Sequence, residues 1–195
     1  MIINVAYLRR RAVAYAERWA LSRNPLFYDF AGSGGDCTNF VSQCILAGCC
    51  TMNFTPTFGW YFRSSADRAP AWTSVEYLYD FLTGAPDFAA ENGGIGPYGH
   101  EVPTVLARAG DVVQLADDSG DFYHTLLITG VRPDGLLVSA HTNDALNRPL
   151  SSYTYAAARV IHIDGVRTEY PNVACFRPLI EGVALPAERS ERDTF

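Results

Sequence analysis

Gly32-Ser33-Gly34-Gly35-Asp36-Cys37-Thr38-Asn39-Phe40-Val41-Ser42-Gln43-Cys44-Ile45-Leu46-Ala47-Gly48 is the stretch on which the reading of this chain turns. Its glycine-rich start can take backbone angles closed to other residues. Asp36 is a good helix N-cap. From Cys37 onward, Phe40, Val41, Cys44 and Ile45 recur at helical spacing, and Gly48 reads as the stop. Cys37 therefore falls in a first helical turn, where free N–H groups and the helix dipole favour negative charge. It lies three and four positions before Phe40 and Val41 and shares their inward face. A thiol at a helix start, behind a flexible loop, suits a cysteine nucleophile. Cysteine is also a common small core residue, so the reading needs a base.

Outward from this stretch, residues 5–21 read as a helix with the apolar stripe Val5, Leu8, Ala12, Tyr15, Ala16, Trp19 and Ala20, ended by Asn24-Pro25. Residues 51–72 are aromatic-rich and irregular. A further helix is expected from Thr73 or Ser74 to about Leu82, then a long loop from Gly84 to Pro103. After Gly110 the pattern changes to strands: 111–115, 122–129, 135–141 and 157–163. Helices first and a strand meander afterwards predict an α+β fold with an antiparallel sheet. One domain is expected over 1–183, with a mobile tail over 184–195.

With 48% hydrophobic and 18% charged residues the chain is not a disordered one. A net charge of −6 argues against a nucleic-acid partner. All 15 basic residues are arginine, which excludes a lysine nucleophile or Schiff base. No run of the sequence is long enough to span a bilayer, so no membrane partner is expected. The short apolar start before Arg9-Arg10-Arg11 is not a secretory signal, and a cytoplasmic product is expected as written, with another export route left open. Five cysteines, Cys37, Cys44, Cys49, Cys50 and Cys175, show no paired spacing, so neither a disulfide framework nor a metal site is expected. Oligomeric state does not follow from the sequence.

Strand geometry selects the base among His100, His124, His141 and His162. If Val131-Arg132-Pro133-Asp134 forms the hairpin loop, Gly130 pairs with Gly135, Ile128 with Leu137, Leu126 with Ser139 and His124 with His141. Both histidines would then face the helices together with Leu126 and Ile128. This makes His124 the general base toward Cys37 and His141 its orienter, with Asn143 as the alternative third residue. A one-residue slip would separate the histidines. Tyr28 and Asp36, the latter beside the nucleophile, are candidate oxyanion or substrate residues, and Trp60 and Trp72 are candidate cleft residues. His162 is read as structural and His100 as exposed.

The run Gly35-Asp36-Cys37-Thr38-Asn39-Phe40-Val41-Ser42-Gln43 resembles the signature of the putative amidase domain family. That family looks like the papain-like cysteine hydrolases and is related to the NlpC/P60 and CHAP groups. The likeness continues through Trp72-Thr73-Ser74-Val75, Gly110-Asp111-Val112-Val113-Gln114-Leu115, His124-Thr125-Leu126-Leu127-Ile128-Thr129-Gly130 and Val138-Ser139-Ala140-His141-Thr142-Asn143-Asp144, roughly residues 5–165. The resemblance implies N-terminal helices packed on a C-terminal antiparallel meander. It also implies a nucleophilic Cys37, His124 on a strand and His141 on the next, with no metal or cofactor. The activity implied is amide hydrolysis through a thioester, on peptide or amide substrates such as those of peptidoglycan. An acyltransferase with the same site and an inactive binding module are the alternatives.

Overall fold

The computed structural model describes residues 1–171 and 174–185; most of the expected tail, 186–195, lies outside them. The fold is α+β, as read from the sequence. The short strand β1 (Ile3–Val5) leads into helix α1 (Arg9–Trp19). Helix α2 (Cys37–Cys49) follows the glycine loop, and α3 (Pro70–Thr73) and α4 (Val75–Thr83) follow the aromatic stretch. The expected loop from Gly84 to Pro103 instead contains α5 (Pro86–Glu91) and strand β2 (Gly96–Val102). The meander consists of β3 (Val112–Ala116), β4 (Phe122–Arg132), β5 (Gly135–Ala140), β6 (Ala145–Pro149) and β7 (Ala157–Thr168), and α6 (Phe176–Glu181) follows.

Among the described residues the seven strands form one sheet in the order β1-β7-β3-β4-β5-β6, with β2 also on β7; every pairing is antiparallel. Each strand alternates its side chains between two faces. Val112, Leu127 and Ile161 join the cluster that contains Ala16, Phe40, Ile45 and Leu82 of the helices. Val113, Leu115, Leu126, Ile128, Val138 and Val160 form a second cluster on the other face, closed by Leu150 and Tyr153. Leu126 and Ile128 therefore point away from the helices, the reverse of the expectation.

Helix α2 is buried at all 13 positions. It does not stop at Gly48. A Cβ there would lie 2.3 Å from the Tyr7 ring, so the glycine serves close packing, and the helix ends one residue later with Cys50 in the left-handed conformation (φ 51°). Cys50 is bonded to Cys175, a disulfide where the cysteine spacing led none to be expected. The pairing spans 125 residues and has no local spacing to betray it. Among the described residues no helix is long and apolar enough to cross a membrane.

Candidate active site

The first turn of α2 faces β4. Thr38 Oγ1 and Thr125 Oγ1 are hydrogen-bonded at 2.9 Å, and Cys37 and His124 are the residues immediately before each. Gln114 Nε2 donates to Val75 O (2.8 Å) and to Thr125 Oγ1 (3.4 Å), and Arg159 Nε donates to Gln114 Oε1 (2.7 Å). Arg159 is itself clamped between the Tyr79 and Phe122 rings, 3.7 and 3.8 Å from their centroids. A buried polar chain thus runs from Arg159 to the threonine next to Cys37. The Cys37 sulfur is buried, with the Thr38 hydroxyl 3.8 Å away.

Asp36 is fully buried and stands at the N-cap position of α2, as read from the sequence, but its side chain makes no capping hydrogen bond. Its carboxylate turns back instead. Oδ1 accepts from Phe30 N (3.1 Å) and Asn39 Nδ2 (2.6 Å), and Oδ2 accepts from His141 Nδ1 (2.6 Å). Arg23 Nε makes a charge contact with the same Oδ2 at 3.4 Å, while its two terminal nitrogens grip Asp144 at 2.9 Å each. The other nitrogen of His141, Nε2, donates to Trp19 O at 3.0 Å, and the ring stacks on Phe40 with centroids 4.0 Å apart. The ring is thus held at both nitrogens, between the Asp36 carboxylate and the end of α1. Thr142 Oγ1 accepts from Asp36 N at 2.7 Å. The glycine loop, α1 and the turn after β5 are thereby tied to the start of α2.

The expected pairing of His124 with His141 is a correction. The turn is tighter than expected, with Arg132 paired to Gly135, and β4 carries a bulge at Thr129, so that Gly130 faces Leu137 but Ile128 faces Val138. The bulge shifts the register by one and flips the faces of everything beyond it. His141 lies on the helix side with Asp36. His124, opposite Leu115, turns to the second face, 6.0 Å from the Tyr153 ring. Burial, and then the Arg148 charge, push the His124 imidazole down from 6.5 to about 4. His141 therefore does not orient His124, and neither imidazole is hydrogen-bonded to Cys37.

The remaining candidates divide. Tyr28 directs its exposed ring against Phe30, and only its carbonyl meets the site, accepting from Asn39 Nδ2 (3.0 Å). Asn143 is an exposed turn residue at φ 65°. Trp60 and Trp72 are core rather than cleft residues, fully buried; Trp72 Nε1 donates to Asn39 Oδ1 (2.8 Å) and Trp60 Nε1 to Ser42 Oγ (3.0 Å). His162 faces Asp111 at 3.0 Å, and the exposed His100 bonds Asp164. Sequence reasoning missed Arg23, Thr125 and Gln114. Of these only Thr125 had a signal, as the polar position between His124 and the apolar run Leu126-Leu127-Ile128.

Residues 6–163 match the family model described as "Putative amidase domain". The chain is also 31% identical over 148 residues to "Uncharacterized protein YhbB" of Bacillus subtilis (strain 168), an alignment covering 73% of this chain and 43% of the relative. The chain thus spans less than half the length of the curated relative it matches. No solved structure matches it significantly. With four-fifths of its length under that model, and the run from Asp36 to Gln43 forming the buried start of α2, the chain belongs to the putative amidase domain family.

Proposed function

We propose that this protein hydrolyses amide bonds through Cys37, on a peptide or related amide substrate, with His124 as the proton carrier. The observation that carries the assignment is the 2.9 Å Thr38–Thr125 hydrogen bond, which makes the backbones of Cys37 and His124 neighbours across the interface of α2 and β4. Family membership supplies the reaction class. In its place on the second face, burial and then the Arg148 charge favour the neutral form of His124, the form a base requires. It adjoins a second β4 bulge, at Tyr123, since Leu115 faces His124 whereas Ala116 faces Phe122. Bulges re-aim side chains, and one residue of slip here turns the imidazole to the Cys37 face.

In this reading Cys37 passes its proton to His124, and the thiolate adds to the amide carbonyl. The oxyanion is met by N–H groups of the first turn of α2, which have no intrahelical acceptor; each such donor is worth roughly 3 kcal/mol. The His124 imidazolium then protonates the departing amine, leaving a thioester on Cys37. His124 next takes a proton from water, hydroxide displaces the thiolate, and a carboxylic acid leaves. Asp36 and His141 are positioning residues that hold the loop before Cys37.

The test is iodoacetamide labelling with mass mapping at pH 7, followed by a screen of peptide amides. Cys44 and Cys49 are buried, with both thiols pushed up, Cys49 to about 12, so Cys37 is expected to label selectively. His124→Ala should slow that labelling, and Cys37→Ala should abolish turnover without loss of the fold. Labelling of Cys37 no faster than a free thiol, or turnover that survives Cys37→Ala, removes the proposal.

A further inference from the structure

A cavity of about 290 Å³ lies apart from the start of α2, between the end of α4, the turn 92–95 and strand β2. Phe81, Leu82, Ile95 and Pro97 give it apolar walls. Among the described residues Arg167 is the only charged side chain lining it. The Arg167 guanidinium lies over the Tyr98 ring, its carbon 3.8 Å from the centroid, and its stem passes over Gly94, where a Cβ would stand 3.9 Å from Cδ. Gly94 sits at φ 72°, in a left-handed turn that keeps the cavity floor free of side chains.

Stacking uses the face of a guanidinium and leaves its N–H edge free. Arg9, Arg23, Arg63, Arg159 and Arg177 each meet a carboxylate, whereas among the described residues no carboxylate pairs with Arg167. A half-buried cation against apolar walls, without a counter-charge, is a configuration an anionic ligand completes. The planar fork of donors fits a carboxylate on both oxygens, and the apolar walls fit a hydrocarbon body.

We propose that this cavity binds an organic carboxylate with a short apolar body, its carboxylate gripped by Arg167 and its chain lying against Phe81, Leu82 and Ile95. The site is independent of the chemistry assigned to Cys37 and stands whether or not that assignment holds.

The experiment titrates the 15N-labelled full chain with hexanoate, hexanamide and inorganic phosphate while following the backbone amides of Gly84, Gly94 and Gly99. Hexanoate should give saturable shifts at these three glycines in the millimolar range. Hexanamide, with the same body and no charge, should bind at least about tenfold more weakly, the loss expected for a charge-assisted fork. Arg167→Gln should weaken hexanoate by a similar factor. Ala89→Trp, which narrows the exposed mouth while leaving Arg167 in place, should do so too and guards against a folding defect in the first variant. Hexanamide binding as tightly as hexanoate overturns the proposal, as do shifts that survive Arg167→Gln. Phosphate matching hexanoate in affinity also overturns it, because the cavity would then select charge alone.

Discussion

His124 makes the stability of this protein fall on acidification in a window where few carboxylates titrate. Burial in the second face of the sheet, with Arg148 nearby, takes its imidazole from 6.5 in the unfolded chain to about 4 in the folded one. Between those values the unfolded chain holds the extra proton, so stability rises with pH across the window. The contribution is complete above about pH 6.5 and is lost as the pH falls toward 4. Integrated over the two values, the loss is about 2 kcal/mol between pH 7 and 5 and about 3 kcal/mol by pH 4. The perturbation is His124→Gln, which does not titrate. Urea unfolding of both proteins at pH 7, 6 and 5 isolates the term, because background carboxylates cancel in the difference. Wild type should lose about 2 kcal/mol more than the variant by pH 5. Parallel loss would mean that the imidazole is solvated in the folded state, and the neutral-base role given to it would go with it.

Asp36→Ala should cost about 3–5 kcal/mol in urea unfolding, because it leaves His141 Nδ1 and Phe30 N buried without their acceptor and takes one of two acceptors from Asn39 Nδ2; a cost under about 1 kcal/mol would mean the pair is not formed. Cys175→Ser opens a closure of 125 residues and should lower stability by up to about 5 kcal/mol, an effect that reductant reproduces on wild type and not on the variant. Gly99→Ala puts a Cβ 2.0 Å from His162 O, a backbone atom of β7, and should cost about 3 kcal/mol with loss of hydrogen-exchange protection in β2. Unchanged protection would refute the close approach of the two strands.

The readable parts of the fold were those specified locally. Helix α2 announces itself through Phe40, Val41, Cys44 and Ile45, and the strands through runs such as Val112-Val113 and Leu126-Leu127-Ile128, because periodicity and β-branching act within a few residues. Strand β2 escaped notice because Gly96, Pro97 and Gly99 suppress the strand signal. Gly99 is nevertheless required there, where β7 approaches too closely for any side chain. The disulfide and the Asp36–His141 pair join residues 125 and 105 apart, and nothing local encodes either.

The fate of the histidines shows how a single residue decides a site. The hairpin turn was expected to hold four residues and holds two, since Arg132 pairs with Gly135. That change alone is harmless. It moves the pairing by two positions, and two positions preserve the face, so His124 and His141 would still point the same way. The bulge at Thr129 adds one more residue to β4, and one residue inverts every side chain beyond it. His141 keeps the helix face and meets Asp36, while Thr125 takes the place expected of His124 and meets Thr38. The second bulge, at Tyr123, lies next to His124 and offers the same kind of inversion again. Moving that bulge by one residue, to the C-terminal side of His124, returns the imidazole to the helix face without disturbing Thr125, Leu126 or Leu127. Deleting Tyr123 removes the bulge and should instead force a regular ladder with His124 held opposite Leu115, on the second face. If His124 is the proton carrier and reaches Cys37 by movement of the bulge, the deletion, which fixes the imidazole on the second face, should lower the rate of Cys37 alkylation at pH 7; an unchanged rate, in a protein that still folds, would assign the proton transfer elsewhere.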